Sequence, residues 1–300
     1  MKVAITGSSG LIGSSLVGAL RAGGHTAVPL VRHGDPGPGE VAWDPQAGTI
    51  DAPGLEGVDA VVNLAGAGIG DERWSDERKR VLVESRTKGT DLLSRTIAGL
   101  DRKPAVLLSA SGIDYYPDTH DEVTESSPAG DGFLADLCVQ WEGATAPARD
   151  AGIRTCLLRT GIVQSGDGGA LQKMLLPFKL GIGGRLGAGD QWWSWISIDD
   201  HVAAMLHLIG ADVEGPVNMT APNPVTNQEY TKALGRELGR PTLLPIPKLG
   251  PRALLGKELS DALLYTSHRV LPTVLESSGF TFRHPTIESC LAAVLGDEAA

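Results

Sequence analysis

The sequence predicts an α/β protein: a Rossmann-type, doubly wound parallel sheet with a smaller C-terminal substrate or lid lobe. Two observations carry this prediction. Short apolar runs alternate with amphipathic stretches through the first half of the chain, and the first run opens straight into a glycine-rich turn at a helix start.

Taken in order, "KVAIT" (2–6), "TAVPLVR" (26–32), "AVVNLAG" (60–66), "AVLLSAS" (105–111) and "RTCLLRTGIV" (154–163) read as strands. They are β-rich and apolar on both faces, as a sheet covered by helices on each side requires. Periodicity predicts helices over 11–22, 75–98 and 133–149. "HGDPGPGE" (33–40) is a surface loop by its turn chemistry. After about residue 165 glycines, three tryptophans and basic residues accumulate without clean periodicity, which predicts a long loop or lid over 166–195. Asp199 or Asp200 is expected to cap the apolar helix "HVAAMLHLIG". The remainder holds one short strand, "PVNMT", and several helices. The expected division is a dinucleotide-binding domain over 1–165, to which 196–220 return, and a lobe made of 166–195 and 221–300.

Composition narrows the function. The chain has 300 residues, 42% hydrophobic and 21% charged, ordinary for a globular protein. A net charge of −10 argues against nucleic acid as a partner. No run approaches the ~20 apolar residues of a membrane span, so no membrane is expected as a partner either. "MKVAITG" enters a strand at once, so no signal peptide is expected. Cys138, Cys156 and Cys290 are few, distant and odd in number, which predicts reduced thiols, no metal and a cytoplasmic location.

"VAITGSSGLIGSSLVGALRAGG" is the most informative stretch. Gly7, Gly10 and Gly13 follow a strand and open a helix. Gly7 allows the sharp turn, Gly10 lets backbone approach a pyrophosphate, and Gly13 lets helix and strand pack closely. The helix start then offers free N–H groups and its positive dipole end to the phosphates. The strict fingerprint has glycine where this chain has Ser8. A dinucleotide enzyme that prefers NAD places an acid about 20 residues on, at the end of the second strand. Here Arg32 follows Val31, His33 comes next, and no acid precedes Asp35. A guanidinium grips a 2′-phosphate that an acid would repel, so NADP(H) is the expected cofactor.

These residues resemble the short-chain dehydrogenase/reductase superfamily in its extended and atypical branches. "TGSSGLIG", "NLAG", "LLSAS" and "LLRTGIV" occur in the expected order. "SASGIDYYPD", "GDGFLADLCVQWE" and "KMLLPFKLGIGGRLGAGDQWWSWISIDD" are similar, more narrowly, to the NADP-binding epimerase family proteins, also described as nucleoside-diphosphate-sugar-epimerase-like. The resemblance implies that Ser9, Gly10, Leu11 and Ile12 line the pyrophosphate. It implies that Val31 and Arg32 meet the adenosine ribose and its 2′-phosphate. Leu64 and Ala65 would flank the cofactor at a strand end, Arg86 would touch it from the next helix, and Val163 would lie near the nicotinamide.

The superfamily's chemistry uses a Ser or Thr to hold the substrate oxygen and a Tyr four residues before a Lys. The Lys lowers the phenol pKa so that a proton can move near neutral pH. Ser111 fits the first role. The dyad is missing: aligning Glu142 with the acid that follows it puts Leu134 and Cys138 in the Tyr and Lys places, and no Y-x-x-x-K occurs in the chain. Three readings follow. Another group supplies the proton, with Tyr116 first in line and Lys173 or Lys179 lending charge. The protein is a non-catalytic NADPH-binding redox sensor. Or it is a sugar-nucleotide epimerase. Tyr115 and Tyr116 can equally be packing aromatics, Trp192, Trp193 and Trp195 are expected to roof a pocket, and His201 and His207 read as structural. The substrate is an unidentified small molecule, a nucleotide sugar or a carbonyl compound.

Overall fold

A computed structural model describes residues 1–32 and 36–296. In chain order, β1 (Lys2–Thr6) leads through the glycine turn to α1 (Leu11–Ala22) and β2 (Thr26–Val31). β3 (Val41–Asp44), β4 (Thr49–Ile50), α2 (Ala52–Leu55) and β5 (Ala60–Asn63) follow, then the long α3 (Asp76–Ala98) and β6 (Val106–Gly112). β7 (Thr119–Val123), α4 (Phe133–Gly143), α5 (Ala146–Asp150), β8 (Arg154–Thr160) and β9 (Ile162–Gln164) complete the first part. Then come α6 (Gly169–Lys179), β10 (Trp192–Trp193), β11 (Trp195–Ser197), α7 (Ile198–Gly210), β12 (Gly215–Met219) and β13 (Val225–Thr226). The chain finishes with α8 (Asn227–Glu237), α9 (Leu249–Leu255), α10 (Lys257–Leu264), β14 (His268–Val270), α11 (Thr273–Ser277) and α12 (Ile287–Leu295).

The central sheet has eight strands in the order β12-β8-β6-β5-β1-β2-β3-β4. Every pair is parallel except β3–β4. The strand order reverses between β1 and β5, so the carboxyl ends of those strands frame the crevice where such sheets bind ligands. The doubly wound α/β fold is as the alternation predicted. Val3, Ile5, Val62, Leu108 and Leu158 face α1 and α7 on one side of the sheet. Ala4, Val61 and Leu107 face α3 and α5 on the other.

Several boundaries differ from the periodic reading, each for a local reason. The run 154–163 divides at Gly161, because a Cβ there would sit 2.6 Å from the Ser194 carbonyl oxygen and the chain must bend past it. The helix expected over 133–149 breaks after Gly143, and α5 restarts with Pro147 in its first turn. Segment 166–195 holds a helix, α6, whose Leu171, Leu175 and Phe178 recur at helical spacing and are buried. The cap of α7 is Ser197, whose hydroxyl accepts from the Asp200 N–H; Asp200 lies inside the helix and accepts instead from the Arg283 and His284 N–H groups. "PVNMT" joins the central sheet as β12, paired with β8. All three cysteines are buried free thiols, and no metal-binding cluster occurs among the described residues. No helix among them is long and apolar enough to cross a membrane.

Candidate functional site

The glycine turn is built as a phosphate cradle. Gly7 takes φ +66°, a conformation that L side chains rarely adopt, and a Cβ on it would meet the Leu64 backbone at 2.9 Å. A Cβ on Gly13 would lie 2.2 Å from the Gly7 carbonyl oxygen, so no other residue fits there without moving the turn. α1 starts at Gly10 with no side-chain cap and no acid in its first turn. Its leading N–H groups are left for an anion, at the positive end of the helix dipole.

Long-range contacts then bring the other expected residues to this turn. The Thr6 hydroxyl donates to Asn63 Oδ1 (2.7 Å) and accepts from the Leu64 and Ala65 N–H groups (3.0 and 3.1 Å), pinning that backbone beside Gly7. β9 carries Val163 alongside, and a Cβ on Gly169 would lie 3.1 Å from Leu11 Cδ2 and 3.9 Å from the Val163 oxygen. Val31 and Arg32 stand at the end of β2, directly beside β1, with Arg32 exposed. Arg86 reaches the groove from α3: a Cβ on Gly66 would meet its Cζ at 3.2 Å. It is 6% exposed, stacks 4.9 Å over the Trp141 ring, and donates from Nη1 to the Leu82 oxygen, while its Nε has no partner. Burial pulls its pKa down to about 10. An unpartnered, buried guanidinium N–H is a vacancy for an acceptor, and dinucleotide ribose and phosphate oxygens are acceptors. The residue set fits NADP(H). His33 and Asp35 lie outside the described residues.

A buried charged network lies across β6, β8 and β12. Cross-strand register puts Ser111 opposite Arg159 and Arg159 opposite Asn218, one row across β6, β8 and β12. Arg159 grips Glu142 of α4 with two bonds of 2.9 Å, and the Ser111 hydroxyl donates to Glu142 Oε1 at 2.7 Å. Arg159 Nη1 donates to the Tyr116 hydroxyl (3.0 Å), which donates in turn to Asn218 Oδ1 (2.7 Å). The guanidinium also lies 3.4 Å over the Tyr115 ring. Glu125 closes the far end, accepting from the Asn218 N–H and bonded to Thr273. Burial favours the neutral phenol and pushes the Tyr116 pKa up to about 12, although Arg159 pulls the other way. On Arg159 burial works against the charge, and the Glu142 carboxylate outweighs it and raises the pKa.

The two aligned dyad positions bring no proton-transfer chemistry. Leu134 is buried, and Cys138 packs with Sγ 3.7 Å from the Gly112 oxygen, its pKa pushed by burial to about 12. Such a thiol carries no charge at neutral pH. Sequence reasoning missed Arg159 and Asn218, because each sits in an apolar strand and only sheet register shows what it faces.

A cleft of about 120 Å³ opens beside this network, lined among others by Asp114, Thr160, Trp192, Trp193, Leu263 and His268. Trp193 is buried and its indole N–H has no partner. Trp195 does not line the cleft: it is fully buried in the lobe and donates to the Asn223 oxygen at 3.1 Å. Neither Ser111 nor Tyr116 is among the lining residues. Asp114, which the sequence reading passed over, is. Burial raises its pKa, against the pull of His268 and Arg86, and its Oδ2 falls 3.5 Å from where a Gly112 Cβ would stand. Lys173 and Lys179 are exposed on α6 and are not among the lining residues. His201 is wholly buried with its Nε2 3.2 Å from the Thr160 hydroxyl, and burial lowers its pKa to about 4.

A parallel doubly wound sheet, an uncapped glycine cradle at its first strand and an arginine at the end of the second define a dinucleotide-binding protein of the short-chain dehydrogenase/reductase class. Residues 3–220 match the NAD dependent epimerase/dehydratase family, and 246–294 match a domain of unknown function. The chain belongs to the NAD dependent epimerase/dehydratase family. It is 47% identical to an epimerase family protein of Mycobacterium bovis over 291 residues, 96% of each chain. The crystal structure of the human epimerase family protein SDR39U1 with NADPH superposes with a TM-score of 0.91 at 33% identity, covering 99% of this chain and 100% of that one. A nucleoside-diphosphate sugar epimerase from Corynebacterium glutamicum gives 0.81 at 36% identity, covering 99% of this chain and 58% of that one.

Proposed function

We propose that this protein binds NADP(H) along Gly7, Ser9, Gly10, Leu11, Ile12, Val31, Arg32, Leu64, Ala65, Arg86 and Val163, and acts as an oxidoreductase or epimerase without the Tyr-x-x-x-Lys dyad. The observation that carries the cofactor assignment is the cradle in which Gly7 and Gly13 have no room for a side chain and the helix N–H groups are left free. The NADPH complex of the human relative supports it. When bound, the cofactor supplies hydride chemistry; the residues of this chain must hold the substrate and move the proton.

The first part of the chain, with 196–220, is the cofactor side of this proposal; 166–195 and 221–300 form the substrate side. The substrate is a small molecule, a nucleotide sugar or a carbonyl compound, seated in the cleft beside Trp192 and Trp193. Ser111 and Tyr116 are the sequence's candidates for holding the oxygen and giving the proton. Their hydroxyls are committed to Glu142 and Asn218, so that network must release them before either meets substrate. A phenol with a pKa of about 12 stays protonated at neutral pH and can only donate, which favours reduction over oxidation. Asp114 lines the cleft already and, with a raised pKa, is the second candidate proton donor. The commitment of both hydroxyls also favours the sensor reading. A cytoplasmic location accords with the free cysteines.

The test is a screen of carbonyl compounds and nucleotide sugars with NADPH, run on the parent protein and on Ser111→Ala, Tyr116→Phe and Asp114→Asn. Loss of the proton donor should slow turnover by about 10²- to 10⁴-fold. Turnover that none of the three affects would refute all three assignments. NADPH binding without any turnover, accompanied by altered proteolysis of 166–195, would replace the enzyme with the sensor.

A further inference from the structure

Seven of the ten large apolar side chains exposed among the described residues fall in two short stretches, 169–189 and 240–257. Leu176, Leu180 and Ile182 stand at and just past the end of α6, each about two-thirds exposed. Leu243, Leu244, Leu249 and Leu254 are between 74% and 88% exposed. The two stretches are neighbours: the Ile246 N–H donates to the Arg185 oxygen at 2.8 Å, and the Gly187 N–H donates to the Ile246 oxygen at 3.1 Å. α9, within the second stretch, buries none of its residues.

The same stretches hold seven Lys and Arg residues and no Asp or Glu, in a chain whose net charge is −10. Lys173, Lys179, Arg240, Lys248 and Lys257 are exposed. Arg252 is tied to Asp261 of α10, and Lys248 leans over the Tyr265 ring. A contiguous exposed apolar patch marks an interaction site. Leucines interleaved with exposed cations are the composition of a surface that lies in the boundary between headgroups and acyl chains.

We propose that this face docks on an anionic lipid bilayer, with its leucines in the boundary layer and its cations against the lipid phosphates. A second copy of the chain fits less well. A two-fold interface pairs the patch with itself and would set its exposed cations, Lys173, Arg240, Lys248 and Lys257 among them, against their own copies, and like charges across an interface are costly. The acidic remainder of the protein does not forbid docking, because charges beyond ~10 Å are largely screened at 0.1 M salt. Surface docking needs no spanning helix. It is also independent of the cofactor assignment, although Ala262 and Leu263 of α10, next along the chain from α9, line the cleft.

The experiment is cosedimentation of the full chain with vesicles of phosphatidylcholine alone and of phosphatidylcholine with 40% phosphatidylglycerol. The protein should pellet with the anionic vesicles in 0.1 M NaCl, and stay in solution with the neutral ones or in 0.5 M NaCl. Each cation removed should weaken partitioning roughly five-fold, read with Lys173→Gln and Lys248→Gln. Leu180→Ser with Leu254→Ser should weaken it about ten-fold or more. Unchanged circular dichroism and NADPH fluorescence certify that the variants are folded, and all four positions are exposed. A protein that stays in solution with anionic vesicles in 0.1 M NaCl, or pellets equally with neutral ones, overturns the proposal. So does a dimer by light scattering that the Leu180→Ser and Leu254→Ser changes split.

Discussion

The cofactor cradle at the end of β1 and the buried charged network across β6, β8 and β12 are built in opposite ways. The cradle is backbone: a run from Thr6 to Ser14 whose geometry depends on hydrogen atoms standing where side chains would be. The network is side chain: Ser111, Glu142, Arg159, Tyr116 and Asn218 come from separate elements, and the Tyr116–Asn218 bond joins residues 102 positions apart. A backbone site can fail its ligand while the fold survives. A buried charged network cannot lose one member without leaving another uncompensated, so stability and site are the same thing there.

Arg159 carries the largest expected effect. Arg159→Met leaves Glu142 buried and unpaired and should cost about 3–5 kcal/mol by denaturant unfolding. The double variant Glu142→Gln with Arg159→Met should recover most of that loss. If the single variant is as stable as the parent, the network holds nothing together.

The next effect is a pH dependence. The pKa of His201 is lowered from 6.5 to about 4 in the fold, so between those values the unfolded chain binds a proton that the native state does not. Stability therefore falls as pH drops from 6.5 toward 4, by roughly 3 kcal/mol at the limit of that shift. Unfolding curves of the parent and of His201→Gln, compared across this window, should show a flatter profile in the variant. Parallel profiles would assign the acid sensitivity to other groups.

At the cradle the expected losses move from stability to binding. Removing a charge-assisted contact to a 2′-phosphate costs roughly 1.5–3 kcal/mol, so Arg32→Ala should weaken NADPH by about 10- to 150-fold by calorimetry and leave NADH nearly unchanged. Equal losses for the two cofactors would show that Arg32 is not the selector. Gly13→Ala is the finest probe. Its methyl group collides with the Gly7 oxygen, so the turn must shift at a cost of about 1–3 kcal/mol. NADPH binding should be lost while thermal unfolding stays cooperative; retained binding would show that the turn accommodates the methyl group.

What was legible from the residues alone follows the range of the forces involved. The strand–glycine–helix opening, the alternation that makes a doubly wound sheet and the absence of a Tyr-x-x-x-Lys were all readable, because each depends on neighbours a few positions apart. Even α6 had left its trace in Leu171, Leu175 and Phe178, hidden by the glycines after it. Tertiary structure alone decided that Arg159, inside an apolar strand, would face Ser111 and Asn218 across the sheet. It also decided that Asp114 rather than Tyr116 would line the cleft, and that two stretches about 60 residues apart would meet through backbone bonds at Arg185, Gly187 and Ile246. Register and packing bring such residues together, and the cost of burying a charge or exposing a leucine is set by what ends up beside it, which no local pattern records.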